Sequence, residues 1–456
     1  MSLKREVQKE IRKDKNKHIN SLCEELEGYN NTGNMRKLFG AVKSLSKKFT
    51  AQLTVIKDSN GSLLTEKDQV LARWKEYCAD LYTNKEDHAQ IIYSEREPPP
   101  LKSEVAWAMG RTANDKSPGS DGVPVELFKE AGESGINMMH KICTDVWNTG
   151  KWPTEWMESI FITIPKKGDR KECTNHRTIA LVSHASKILL KIILGRIHQK
   201  IESEISDEQA GFRPGRGTRD QIINLRILMQ KAKEHRIPLY MCFVDFHKAF
   251  DCIKHEKLWV TMLEMGFPAH LVDLVGKLYR GQKAAVRVAG VLSDWFSISK
   301  GVRQGCVLSP YLFNIIAEMT MREALENFSG GFKIGGRTVN NLRYADDIVL
   351  ITTTPAELQA LLNRIRIAGT KYGLVINKGK TKVMATEGDN TVITVDGDAL
   401  QQVDHFQYLG ALITEVGRCE SDMRTRLAMA KSILTELEWN IYGRAERSLH
   451  VPSYAC

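Results

Sequence analysis

Leu239-Tyr240-Met241-Cys242-Phe243-Val244-Asp245 and, further on, Leu342-Arg343-Tyr344-Ala345-Asp346-Asp347-Ile348-Val349-Leu350-Ile351-Thr352 are the two stretches on which the reading of this chain turns. The first is a β-rich apolar run that ends on a carboxylate. The second is two short apolar runs around Ala-Asp-Asp, a hairpin pattern. Between them 310–325 reads as a helix, with Ser309 as cap, Pro310 in the first turn, and Leu312, Phe313, Ile316 and Met319 on the apolar side. After the hairpin, Thr354-Pro355-Ala356-Glu357 combines a capping box with a proline at the first helical position. Leu358, Leu361, Leu362 and Ile365 line that helix, Gly373 closes it, and 382–386 is a last strand. Strand, helix, hairpin, helix, strand is the order of a ferredoxin-like α+β sheet with its helices on one face. That topology lays the end of the first strand beside the hairpin, so Asp245 and Asp346-Asp347 are predicted to meet across 101 residues of sequence.

Three carboxylates on one sheet end repel one another and persist as a set when a cation neutralises them. Hard oxygen ligands select magnesium or manganese. Two such ions ~4 Å apart can activate an attacking hydroxyl and stabilise a leaving oxygen in an in-line phosphoryl displacement. An Asp-Asp pair in a hairpin is by itself usually only a turn. The weight therefore rests on the joint placement.

The 456 residues carry a formal charge of +10, which favours a polyanionic partner. Nine cysteines, an odd number with no C-x-x-C spacing, argue against a disulfide framework or a zinc knuckle and for reduced thiols. No signal peptide and no apolar stretch near the ~20 residues of a membrane span is visible, so an intracellular protein of nucleus or cytoplasm is expected, with no membrane partner. Residues 1–48 read as basic helices with twelve Lys/Arg against six Asp/Glu. Val7, Ile11, Ile19, Leu22 and Leu26 form one stripe and Met35, Leu38, Phe39, Val42 and Leu45 a second, parted by Asn30-Asn31-Thr32-Gly33. Thr65-x-x-Asp68 is a capping-box pattern before a helix with Val70, Trp74, Tyr77, Cys78 and Leu81. Residues 83–100, ending in Pro98-Pro99-Pro100, read as a linker.

Tyr344-Ala345-Asp346-Asp347 resembles the Y/F-A-D-D box of reverse transcriptases, and other motifs follow in that family's order. Lys116-Ser117-Pro118-Gly119-Ser120-Asp121-Gly122 looks like the K-S-P-G-x-D-G motif of LINE and group II intron enzymes. Ile164–Asp169 with Asn175-His176-Arg177-Thr178-Ile179 resembles the first fingers motif, and Gln209–Thr218 the second. Asp245-Phe246-His247-Lys248-Ala249-Phe250-Asp251 looks like D-x-x-K-A-F-D, and Gly301–Pro310 is similar to the next palm motif. Gly373–Asn377 with Lys380-Thr381 resembles the fourth, and Phe406-Gln407-Tyr408-Leu409-Gly410 the primer grip. The match spans roughly 101–450 and points to the non-LTR, LINE-type retrotransposon class.

The resemblance implies a right-hand polymerase: a helical N-terminal extension and linker over 1–100, fingers over 101–235, a ferredoxin-like palm over 236–405, and a primer grip with a partial thumb over 406–456. It implies an RNA-directed DNA polymerase with two Mg2+ or Mn2+ ions, an RNA template, a DNA primer and deoxynucleoside triphosphates. Asp245, Asp346 and Asp347 would be catalytic, joined by Phe246 in the metal set and by Lys380 as proton donor to pyrophosphate. Lys166, Lys167 and Arg177 would neutralise the triphosphate, Gln304 and Gly305 would approach the nucleotide, and Phe250 would exclude a ribose 2′-OH. Arg213, Arg216, Arg219, Tyr344, Tyr408, Leu409 and Gly410 would contact nucleic acid. Thr178 stands where the family has proline, which implies a looser loop there. No endonuclease precedes the palm, no zinc knuckle follows, and the chain stops at Cys456. These departures suggest a competing expectation, an impaired retrotransposon remnant that only binds nucleic acid. A mobile-intron maturase would need an RNA-binding domain after the thumb.

Overall fold

A computed structural model describes residues 2–34, 37–38, 40–41, 55–84, 91–166, 168–386 and 391–438. The chain divides into two compact units, 53–419 and a second made of 1–52 with 420–456. The second unit contributes the helices Ser2–Asn31 and Glu420–Glu438. The first of these ends in a turn with Gly33 at φ +67, and the stripe expected at Met35–Leu45 falls largely outside the described residues. Met423, Leu427, Met429, Ile433 and Leu434 on the other helix are exposed.

In the larger unit, five strands form one sheet in the order Asn341–Tyr344, Asp347–Thr352, Tyr240–Val244, Lys382–Ala385, Gln401–Gln402. The first four are mutually antiparallel and the last is parallel to its neighbour. With the helices Ser309–Leu325 and Pro355–Tyr372 this is the expected α+β order. Every residue of Tyr240–Val244 is buried. Tyr240, Cys242 and Val244 join the core that holds both helices, and Met241 and Phe243 join a second core. That second core contains Ile222, Leu225 and Met229 of the helix Thr218–Glu234 and Tyr408, Ala411 and Ile413 of the hairpin His405–Thr414. The expectation of helices on one face is thus corrected: the two crossover helices share a face, but the other face is covered too. A strand buried on both sides has no reason to alternate, and this one does not.

Local signals set the helix ends. Thr354 Oγ1 accepts the Glu357 N–H at 3.2 Å, while the Glu357 carboxylate reaches back to the Thr353 N–H, also at 3.2 Å. Gly373 ends that helix at φ +92, where a Cβ would clash with the Cys252 carbonyl. Two expected caps differ. Ser309 is the first helical residue, with Leu308 at the cap position, and the helix Lys67–Tyr82 begins after Glu66 rather than at Thr65. Neither cap makes a side-chain bond, since packing of the apolar face dominates short-range capping.

A second sheet runs His176–Leu181, Glu158–Pro165, Lys283–Val288, Val291–Leu292, with Phe296–Ser297 on Lys283 and Ala284. Residues 283–297, inside the span read as palm, therefore pair with strands from the span read as fingers. Val70, Trp74, Cys78 and Tyr82 of the upstream helix Lys67–Tyr82 pack with Phe161, Ala180, Val182, Ala284 and Val286 of this sheet. The described end of the expected linker is fastened at Glu97, Pro98 and Pro99. Arg196 donates to the Pro98 and Pro99 carbonyls, and Trp147 Nε1 to Glu97 O at 2.9 Å. Proline lacks the donor but keeps the acceptor, so a proline run can be tied through its carbonyls. Among the described residues all eight cysteines are free, and no helix is long and apolar enough to cross a membrane.

Candidate active site

The register puts Ile348 opposite Val244, so the next step outward sets Asp347 beside Asp245 at one end of the sheet. Tyr344 pairs with Asp347, leaving Ala345-Asp346 as a two-residue turn. Ala345 takes φ +57 there, a place that favours glycine. Asp245 is tied through its backbone. Asn377 N–H donates to its carbonyl at 2.8 Å, and its own N–H meets Thr381 Oγ1 at 3.2 Å. The segment Gly373–Thr381 thus locks the end of the central strand and brings Lys380 Nζ to 4.0 Å from Asp245 Oδ1.

Burial pushes the Asp346 carboxyl above the usual carboxylate range; the charge of Asp245 adds to this, and Arg177 and Lys166 oppose it. Asp347 is exposed as a residue, yet packing around its carboxyl, with the charges of Asp346 and Asp245, pushes it up to about 6. Lys166 is lowered by lost solvent and by Arg177, with Asp251 and Asp245 pulling back. These groups share one field. Lys167 lies outside the described residues.

The donor set suits a hard divalent cation. It consists of carboxylates that raise one another, and Asp245 Oδ1 is buried with no hydrogen-bond partner among the described residues. The side chains stand apart, however: among the described residues no trio of His, Cys, Asp or Glu is gathered closely enough to hold an ion.

Around the carboxylates, Phe250 stacks on Phe313 with centroids 4.4 Å apart at 17°, and Phe212 meets it edge-on at 6.2 Å. Gln304 O accepts the Ala180 N–H at 2.7 Å, and its Nε2 donates to Asp251 Oδ1 at 2.9 Å. Gly305, exposed at φ +121, would put a Cβ 2.6 Å from Ala180 O, so only glycine fits that approach. Phe246 is buried and bridges to Ile376.

Several residues expected to contact nucleic acid have partners within the protein. The Arg213 guanidinium is taken up by Glu202, Ser206 O and Gln209 O, with Nε at 2.9 Å from the Glu202 carboxylate. Arg216 pairs with Asp207 at 2.6 Å, whereas Arg219 is exposed. The Tyr408 ring lies in the core beside Phe243, and burial, then the charge of Asp347, raises its hydroxyl. Leu409 and Gly410 form the hairpin tip at φ +49 and +82, and Tyr344 is half-buried. The looser loop expected at Thr178 is absent: this residue is buried within a paired strand, and its hydroxyl bonds Tyr82.

The family described as reverse transcriptase (RNA-dependent DNA polymerase) matches residues 164–413, more than half of the chain. The chain belongs to the reverse transcriptase family. This reverse transcriptase is 28% identical over 320 residues to the Pol polyprotein of the type-2 retrotransposable element R2DM of Drosophila melanogaster, covering 68% of this chain and 30% of that one. It is 25% identical over 373 residues to the RNA-directed DNA polymerase of the mobile element jockey of Drosophila funebris, covering 78% and 40%. These are distant homologues from non-LTR elements, and the chain spans well under half of their length. An apo telomerase structure from Candida tropicalis aligns with a TM-score of 0.42 and 14% identity over 64% of this chain and 59% of that one.

Position in this reverse transcriptase shows a function for Gln209 that its motif alone did not reveal. Its Oε1 accepts from the N–H groups of Ala345 and Gly211, both at 2.8 Å, and its Nε2 donates to Ala345 O at 3.3 Å. One buried amide thus clamps both polar groups of the residue before Asp346. Gly211 lies so close that a Cβ would fall 2.2 Å from the Ala345 nitrogen. The amide both accepts and donates here and the methionine side chain does neither well, so Gln209→Met should strand the turn's polar groups. The expected loss is about 1–3 kcal/mol of unfolding free energy, measured by urea denaturation; a loss below about 0.5 kcal/mol would mean that the clamp is idle. Arg303 was another quiet signal: its guanidinium holds the Trp156 and Met157 carbonyls at 3.0 and 2.9 Å, anchoring the loop that carries Gln304.

Proposed function

We propose that the chain is an RNA-directed DNA polymerase that extends a DNA primer on an RNA template with deoxynucleoside triphosphates, in an intracellular setting. The observation that carries this reading is the placement of Asp245 and Asp346-Asp347 at one sheet end, in the positive field of Lys166, Arg177 and Lys380. In this reading the sheet around Tyr240–Val244 is the palm, the sheet around Glu158–Pro165 belongs to the fingers, 1–100 is an extension, and 406–456 holds the primer grip and thumb.

Asp245, Phe246, Asp346 and Asp347 would hold two magnesium or manganese ions, which when bound neutralise phosphate charge and activate the primer hydroxyl. The protein's own groups do the rest. Arg177 and Lys166 orient the triphosphate and offset its charge. Lys380 would hand a proton to the departing pyrophosphate, and its Nζ at 4.0 Å from Asp245 Oδ1 supports that role. Gln304 and Gly305 floor the nucleotide, Phe250 closes the sugar side, and Arg219 offers an exposed cation to the template.

Primer extension on an RNA template with magnesium tests this, and no product above a no-enzyme control would refute it. The spread of the three carboxylates favours a second reading, a binder without chemistry, which the same assay separates because a binder retains primer–template without extending it. Both readings require an electrostatic grip. Affinity for an RNA–DNA duplex should therefore fall steeply with salt, by roughly 0.7–0.9 log units per log unit of salt for each phosphate neutralised. A flat response from low to physiological salt would remove the polynucleotide partner.

A further inference from the structure

The helix Lys67–Tyr82 lies upstream of the family-matched residues 164–413, yet its last residue reaches the nucleotide site. Tyr82 is buried against Phe161, and its hydroxyl is 2.8 Å from both Thr178 Oγ1 and Asp251 Oδ1. A phenol has one proton, and a carboxylate is the stronger acceptor. Tyr82 therefore donates to Asp251, and Thr178 donates to Tyr82. The same Asp251 oxygen accepts Gln304 Nε2 at 2.9 Å. All of Tyr82, Thr178 and Asp251 are buried, so a missing partner would not be replaced cheaply by solvent.

The Tyr82 main chain adds to this. Its carbonyl accepts the N–H groups of Ser299 and Lys300 at 2.9 and 3.2 Å. Earlier in the helix, the Tyr77 ring lies under Lys248 Nζ at 4.6 Å, holding the corner after Asp245. One helix end thus ties together the strand that carries Arg177, the corner that carries Phe250, and the loop that carries Gln304 and Gly305. With Nε2 of Gln304 committed to Asp251, the amide plane is set, and Oε1 is the atom left to face a nucleotide or template base. Thr178, the departure from the family's proline, supplies the hydroxyl that completes the chain of donors.

We propose that Tyr82 is a positioning residue of the nucleotide site, acting through Asp251 on Gln304, so that the segment upstream of the family match is part of the polymerase. The proposal rests on the polymerase reading above. Its test is Tyr82→Phe in the full chain, which keeps the ring and removes the hydroxyl. Thr178→Val, a second variant, removes only the donor to that hydroxyl. Three quantities are measured: KM for dATP and kcat on an RNA template, dATP affinity for the complex with a dideoxy-terminated primer, and the thermal midpoint. In Tyr82→Phe, KM and the dATP dissociation constant should rise about five- to tenfold with kcat little changed. Thr178→Val should shift both less, and Tyr82→Phe should add nothing in a Gln304→Ala background.

A lowered midpoint with KM and dATP affinity within about twofold of wild type would make Tyr82 a core residue only and overturn the proposal. Full additivity with Gln304→Ala would overturn it as well. If wild type binds dATP on the terminated primer but does not extend an open one, the polymerase reading fails, while the binding comparison still decides for or against Tyr82. If wild type binds no dATP, both fail.

Discussion

Asp346→Asn should lower primer extension by about three orders of magnitude or more while primer–template affinity stays within about twofold. The substitution is nearly isosteric, so the turn clamped by Gln209 should keep its shape. What is lost is one negative donor from a set of three. Burial holds the Asp346 carboxyl above the usual carboxylate range, and it lies in the field of Arg177 and Lys166. Removing its charge leaves those cations in place, and in the proposed reading the template is held by other residues. The expected signature is thus a collapse of kcat without a collapse of binding. Removing a repelling charge should also leave the metal-free protein no less stable. Near-normal turnover of the variant, or equal loss of binding and turnover, would show that the carboxylate trio is not the catalytic centre.

Phe250→Val should raise the ribonucleotide-to-deoxynucleotide ratio of kcat/KM by about tenfold or more. The ring is stacked face to face on Phe313 and met edge-on by Phe212. A gate works by a clash with the wrong sugar, and a clash discriminates only if the ring cannot swing aside. The stack provides that rigidity. Valine removes both the obstacle and the stack, so a stability loss of ~1–4 kcal/mol is expected as well. The two effects separate cleanly, because destabilisation lowers use of both nucleotides alike and leaves their ratio unchanged. Phe313→Leu makes the complementary case: it leaves the gate in place but frees it to move, and should relax the ratio partway. An unchanged ratio in Phe250→Val sinks the gate whatever happens to the absolute rate.

The sheet that carries the carboxylates was legible because its signals are local. Thr354-Pro355 and Gly373 mark both ends of one helix, and the apolar runs on either side of Ala345-Asp346 mark a hairpin. The covering of the sheet's second face was not legible. Ile222 and Met229 come from before the central strand and Tyr408 from well after it, and no period in the strand names its partners. The same holds for Lys283–Val288, which crosses to a sheet begun more than a hundred residues earlier. At the site, the carboxylates, Phe250 and Gly305 could be named from motif and chemistry. Arg213 reads as a template contact because it is a basic residue in a glycine-rich loop, and nothing local in that loop signals its ion pair with Glu202. Tyr82 carried no signal at all, being an ordinary aromatic at a helix end until the fold brings Thr178 and Asp251 to its hydroxyl.

The central position of Tyr240–Val244 has a consequence for how the molecule is made. Both of its neighbours, Asp347–Thr352 and Lys382–Ala385, emerge from the ribosome more than a hundred residues after it. During that interval an apolar five-residue strand has two bare edges and a high tendency to pair with whatever strand is nearby. The helix Thr218–Glu234 is already synthesised by then and contributes to the core on one face of the strand, which leaves the edges as the remaining hazard. Asp245, at the end of the strand, is a charged residue against edge-to-edge association for that period. A carboxylate of the proposed metal site thus also serves as a gatekeeper for a nascent chain whose sheet is not yet complete.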